Sequence, residues 1–153
     1  MKRKSIMMAL VFCFIGALCF AADVNLGTWK LNEAKSKLGA GAPKNITVIY
    51  TADGDNVKVT TDGVDPSGKP THTEWTGKYD GKDYPVTGDT NSDARAYSKV
   101  NDNTLHVLDK KGGKTLMEVH IVVAPDGKSR TVTFNGTDAS GKKVTSSAVY
   151  DKQ

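Results

Sequence analysis

The side chains best suited to chemistry in this sequence are three histidines and the acids beside two of them. His72 and Glu74, like Glu118 and His120, stand two positions apart, so on a β-strand each pair shares one face. Such a pair offers two ligands to a divalent metal, whereas a closed site takes three or four. The alternation around them puts both pairs on the solvent face, where solvated charge is the ordinary role, and no metal is expected. His106 falls between the inward residues Leu105 and Val107, so none of the three histidines has the inward parity a haem ligand needs. There is no nucleophile elbow with a Ser-His-Asp order, and no glycine-rich phosphate loop between a strand and a helix. The chain is therefore not expected to be an enzyme or to carry a cofactor. Arg130 stands apart, because it shares parity with the apolar Val132 and Phe134. A guanidinium there either holds a carboxylate through paired hydrogen bonds or serves structure at the start of its strand, against Trp29.

The elements that position these residues are strands. Ten short runs rich in Val, Ile, Thr and Tyr follow one another from Leu26–Asn32 and Asn45–Ala52 to Ser129–Asn135 and Lys143–Asp151. They are separated by turn residues such as Asp53-Gly54, Asp80-Gly81-Lys82 and Pro125 to Lys128. Connections this tight make consecutive strands antiparallel neighbours. Only Asn32 to Leu38 has a helical look, with Asn32 as cap and Gly39 as stop. A meander of this length leaves two unpaired edges unless it closes. The expected fold is an all-β, antiparallel up-and-down barrel of 8–10 strands, with at most one short helix after the first strand.

Two stretches 73 residues apart, Asp53 to Lys69 and Asp126 to Lys142, agree at nine of seventeen positions. Shared turn chemistry is one account of this match and internal duplication another. On the same offset Ile46, Val48 and Tyr50 align with Val119, Ile121 and Val123, all apolar at alternate positions. That favours two related three-strand units, with Tyr79 meeting Tyr150 after a two-residue gap. It also sets the inward face, which takes in Trp29, Leu31, Ile46, Val57, Val59, Trp75, Met117, Val144 and Tyr150. Thr73, Ser98, Ser146 and three tyrosines tint that interior. Such a lumen suits a barrel around a small cavity; the alternative places the hydroxyls near strand ends, bonded to backbone.

Met1 to Ala21 reads as an export signal, with Lys2, Arg3 and Lys4 before an apolar run and small residues at Ala21 and Ala22. The run is shorter than the roughly 20 residues of a membrane span, so no stable membrane anchor is expected. Residues 22–153 form one domain, periplasmic or secreted and monomeric by expectation. Both cysteines, Cys13 and Cys19, lie in the signal, and so do three of the 21 basic residues. The remainder holds 18 basic against 17 acidic side chains. With no basic stripe left, nucleic acid is not an expected partner.

Leu26-Gly27-Thr28-Trp29-Lys30-Leu31 at the start and Val149-Tyr150-Asp151-Lys152 at the end resemble the calycins. Lipocalins and intracellular fatty-acid-binding proteins share the Gly-x-Trp start, and the aromatic–acidic–basic end looks like the last strand of the latter. The resemblance implies a barrel of eight or ten strands, with Trp29 plugging one end. Asn32 to Lys44 is too short for the helical lid of the fatty-acid-binding proteins. Their carboxylate-binding arginine, two residues before the final tyrosine, is replaced by Ala148. The expected function is binding of a small, hydrophobic or amphipathic molecule in the lumen, lined by Trp75, Tyr79, Phe134 and Tyr150 with Arg130 as anchor. The competing expectation is a cell-envelope interaction or inhibitor protein with a filled core.

Overall fold

The computed structural model describes residues 23–39, 41–137 and 141–153; the export signal expected at Met1 to Ala21 lies outside them. Ten strands follow in order: β1 (Gly27–Lys37), β2 (Lys44–Asp53), β3 (Asn56–Val64), β4 (Pro70–Gly77), β5 (Tyr84–Thr87), β6 (Ala94–Asn101), β7 (Thr104–Lys111), β8 (Lys114–Val123), β9 (Ser129–Thr137) and β10 (Lys143–Lys152). Every strand pairs antiparallel with its sequence neighbour, and β1 also pairs with β10, so the sheet closes on itself as an up-and-down barrel. Closure gives every strand a partner on both sides, although β5 joins β4 and β6 by only two rungs each. The β2–β3 turn has only two residues, Gly54 and Asp55, and Gly54 takes a φ of +58°. A glycine adopts that conformation without penalty, which suits the tight hairpin turns that follow strand twist.

The expected helix over Asn32 to Leu38 does not form; β1 runs on to Lys37. The local chemistry that reads as a helix cap is used instead in an irregularity of the β1–β10 ladder between Asn32 and Lys37. The Lys35 backbone N–H donates to the Asn32 side-chain oxygen at 3.2 Å. Ser36 Oγ donates to the Asn32 carbonyl at 2.7 Å and accepts from the Val149 N–H at 2.9 Å, so a hydroxyl stands in for a missing rung.

The core forms where inward residues of many strands meet. Trp29, Tyr50, Val59, Trp75, Tyr97, Leu105, Val107, Val119, Ile121, Val123, Val132 and Tyr150 are all buried. Two residues expected inside are exposed. Ile46 sits between Asn45 and Thr47, where the β2–β3 register shifts, and the bulge turns it outward. Val144 lies at the start of β10 opposite Gly136, near the open end of the barrel, where no layer covers it. At the other end Trp29 and Trp75 are almost wholly buried. Each such ring removes roughly 150–250 Å² of surface from water, about 4–6 kcal/mol at ~25 cal/mol/Å². Both indole N–H groups are satisfied: Trp29 donates to the Asn25 carbonyl at 2.8 Å, and Trp75 to the Arg95 carbonyl at 3.1 Å.

Candidate ligand-binding cavity

One end of the barrel is plugged and the other is open. At the plugged end Trp75 packs on Tyr97 with ring centroids 4.2 Å apart, and Tyr84 meets Trp75 edge-on at 5.8 Å. Tyr79 lies over the other side of this cluster, 5.9 Å from Tyr97. Gly77 makes the packing possible, because a Cβ there would run into the Tyr84 ring and the Trp75 indole. Above the plug the lumen holds a cavity of about 790 Å³. Its walls include Leu31, Val48, Tyr50, Val59, Val107, Val119, Ile121 and Val132, and its mouth is framed by Leu38, Pro43, Pro66, Asn91 and Leu116. Side chains of inward parity are small where the cavity lies: Ala148 and Ser146 on β10, Thr61 on β3 and Thr73 on β4.

Arg130 forms part of the cavity floor. It is 2% exposed, and its Nε and Nη1 find no hydrogen-bond partner among the described residues. Three aromatic rings surround the guanidinium instead, with Cζ 4.7 Å from the centroid of Trp29, 4.8 Å from Tyr50 and 5.1 Å from Tyr150. Ring quadrupoles attract a cation, by about 2 kcal/mol or more when the contact is desolvated. They leave N–H donors unbonded, and an unpaired buried charge costs several kcal/mol. Tyr150 is itself anchored, its hydroxyl donating to the Asn45 carbonyl at 3.0 Å. Burial pushes that phenol up to about 12, although Arg130 pulls in the opposite direction.

A second charged group lies higher on the wall. Arg95 on β6 is directly opposite Asp109 on β7, and its Nε donates to that carboxylate. Its Nη2 donates to Asp89 Oδ2 at 2.8 Å. Burial raises the pKa of Asp109 above the usual carboxylate range, with Arg95 working against the shift. Burial disfavours the charge of Asp89 too, but the Asn91 N–H, the Ser92 hydroxyl and Arg95 outweigh it and hold its pKa down. Arg95 is thus neutralised by two acids, and Arg130 has no comparable partner among the described residues.

Of the five residues expected to line a ligand site, Arg130, Phe134 and Tyr150 do line the cavity. Trp75 and Tyr79 are not among its lining residues; they form the plug beneath, behind Tyr97. Burial and neighbouring Tyr50 and Asp23 push the Tyr79 hydroxyl far above its ordinary value. Tyr50, Tyr97, Arg95 and Asp109 line the cavity without having been singled out as ligand residues. Asp109 continues the parity of Leu105 and Val107, and Arg95 that of Tyr97, so two charges of inward parity were visible signals. That they face each other depends on the β6–β7 register.

A closed ten-strand antiparallel barrel around a cavity is compatible with a calycin-like fold. The chain matches no protein-family model and no curated protein sequence.

Proposed function

We propose that this chain is an exported carrier of the lipocalin or fatty-acid-binding-protein kind, which takes a small amphipathic molecule into its lumen with an acidic group against Arg130. The carrying observation is a buried guanidinium on the floor of a sizeable cavity, with two nitrogens lacking an acceptor among the described residues. A carboxylate descending the lumen would supply the missing acceptor in the bidentate geometry that arginine suits. The aliphatic walls above would take the apolar part, and the volume lies within the roughly 300–1,000 Å³ of small-molecule sites. The arginine's place is on the ninth strand, so the polar anchor differs from that of the fatty-acid-binding proteins. On this reading the protein works as a periplasmic or secreted monomer and performs no chemistry on its ligand.

Native mass spectrometry of protein purified gently from its own periplasm tests the reading, together with titration of decanoate and decanol against the fluorescence of Trp29 and Trp75. A retained acidic molecule, or saturable binding of decanoate at least tenfold tighter than that of decanol, is expected. A clean apo mass with no response to either compound would overturn it in favour of an envelope interaction protein working through its outer face.

A further inference from the structure

On the outer wall of the barrel, β7 and β8 bring three possible metal ligands together. His106 and His120 are directly opposed partners in the β7–β8 ladder. Glu118 is two residues before His120 and so projects from the same face of β8. The side chains of the three approach until their ligand atoms all lie within 4.8 Å of one another. The two imidazoles stack with centroids 4.7 Å apart and planes 26° from parallel. Among the described residues none of the three has a hydrogen bond or ion pair to another side chain or to backbone, in contrast to His72, which is tied to Asp62 at 2.6 Å. Reading each strand alone finds only the Glu118–His120 pair; the third ligand comes from the neighbouring strand.

We propose that His106, Glu118 and His120 form a surface site for a divalent transition metal. Ligand atoms about 2.0–2.1 Å from a tetrahedral metal stand roughly 3.3–3.5 Å apart. Closing from the present separation requires only rotation of side chains that are half-buried or exposed, while the paired backbone already sets their spacing. Two imidazoles and one carboxylate favour copper(II), nickel(II) or zinc(II) over magnesium or calcium, which prefer all-oxygen sites. Three protein ligands leave further positions to water, as in open zinc sites. The row continues on both sides with short side chains, Thr133 opposite His120 and, opposite His106, Ser98, which was expected inside but shares the outer face because Tyr97 beside it turns inward. The site shares its strands with the cavity but not its face, since Leu105, Val107, Val119 and Ile121 are buried on the other side.

The test is calorimetric titration of ZnCl2 and CuCl2 into chelator-treated full-length protein, with MgCl2 and CaCl2 as comparison. It is repeated on His120→Ala, Glu118→Gln and His72→Gln, each checked for an unchanged circular dichroism spectrum. One zinc or copper per chain is expected, with affinity at least tenfold weaker in His120→Ala, weaker in Glu118→Gln and unchanged in His72→Gln. Electron paramagnetic resonance of the copper form should show two coupled nitrogens, reduced to one in His106→Gln. Binding of neither metal, affinity untouched by His120→Ala, or a site abolished by His72→Gln would each overturn the proposal.

Discussion

The hairpins β3–β4 and β9–β10 are the same construction with their charges turned inside out. On the 73-residue offset every paired residue of one falls on a paired residue of the other: Val59 faces Trp75 as Val132 faces Ala148, and Asp62 faces His72 as Asn135 faces Thr145. On the outer face β3–β4 is ionic. His72 Nδ1 lies 2.6 Å from Asp62, and Lys58 lies 2.7 Å from Glu74. The matching outer positions of β9–β10 are Thr131, Asn135, Thr145 and Ser147, and Thr145 donates a neutral hydrogen bond to Asn135 at 2.9 Å. Inside, the relation reverses. Val57 and Gly77 face each other on the first hairpin, where Arg130 and Tyr150 do on the second. A single register therefore carries two different interiors: one admits the Tyr84 ring as a plug, and the other places a cation under a cavity. Backbone pairing fixes which positions look inward, and side-chain choice at the inward positions decides whether the space is filled.

The largest effect is expected from making the second interior apolar like the first. Arg130→Met should weaken decanoate binding about tenfold to hundredfold, the roughly 1.5–3 kcal/mol of a charge-assisted hydrogen bond, and leave decanol binding unchanged. The apo barrel should be no less stable, because an unpaired buried charge is removed. A stability loss above about 2 kcal/mol in urea denaturation would mean that the three rings hold Arg130 for structure. Next comes Gly77→Ala, which adds a single methyl where the first hairpin needs none. The Tyr84 ring must move, at a cost of roughly 1–3 kcal/mol typical of overpacking. A loss too small to measure would show that the plug does not depend on that close approach.

The smallest effect is expected outside. Asp62→Asn copies the neutral bond of the second hairpin. The hydrogen bond to Asp62 is the main cause that raises the His72 pKa above its ordinary value. A raised histidine stabilises fully below its unfolded value of about 6.5, and that contribution fades as pH rises through the folded value. The substitution should thus lower the melting temperature more at about pH 5 than at about pH 9. NMR titration should return the His72 midpoint towards about 6.5. An equal loss at both pH values would assign the bond no charge-dependent role.

Much of this comparison was legible in the amino-acid sequence. The alternation of apolar residues placed all ten strands, because a half-buried strand must alternate to bury one face. The match between Asp53–Lys69 and Asp126–Lys142 gave the hairpin register, and Asp138 to Ser140 of the second copy lie outside the described residues. The first strand of each unit, β2 or β8, is less faithful. Tyr50 faces Val59, but Val123 faces Arg130, a slip of two residues that keeps the faces and changes the partners. The turns explain it: two residues separate β2 from β3, and five separate β8 from β9. The gapped alignment of Tyr79 with Tyr150 does not hold either, since Gly77 occupies the place of Tyr150 and Tyr79 lies beyond the end of β4. What sequence could not supply was contact across strands. The Arg95–Asp109 pair and the His106–His120 pair depend on register between neighbours. Helical signals at Asn32 misled for a related reason, because a side chain that caps a helix can equally serve a bulge.

The seam between β1 and β10 has a consequence for how the molecule is made. Its rungs join residues about 120 positions apart, such as Leu31 with Tyr150 and Trp29 with Lys152. As the chain folds, hairpins from β2 to β9 can zip in order, each from contacts close in sequence. β1, however, keeps one side bare until Lys143–Lys152 docks against it. Such long-range closure is the slow part of a β topology, since the loop must be closed before any contact repays its entropy. Arg130 is also held late, for two of its three rings, Trp29 and Tyr150, belong to the two seam strands. A chain in which β10 has not yet docked therefore has neither a sealed wall nor a finished cage around that cation.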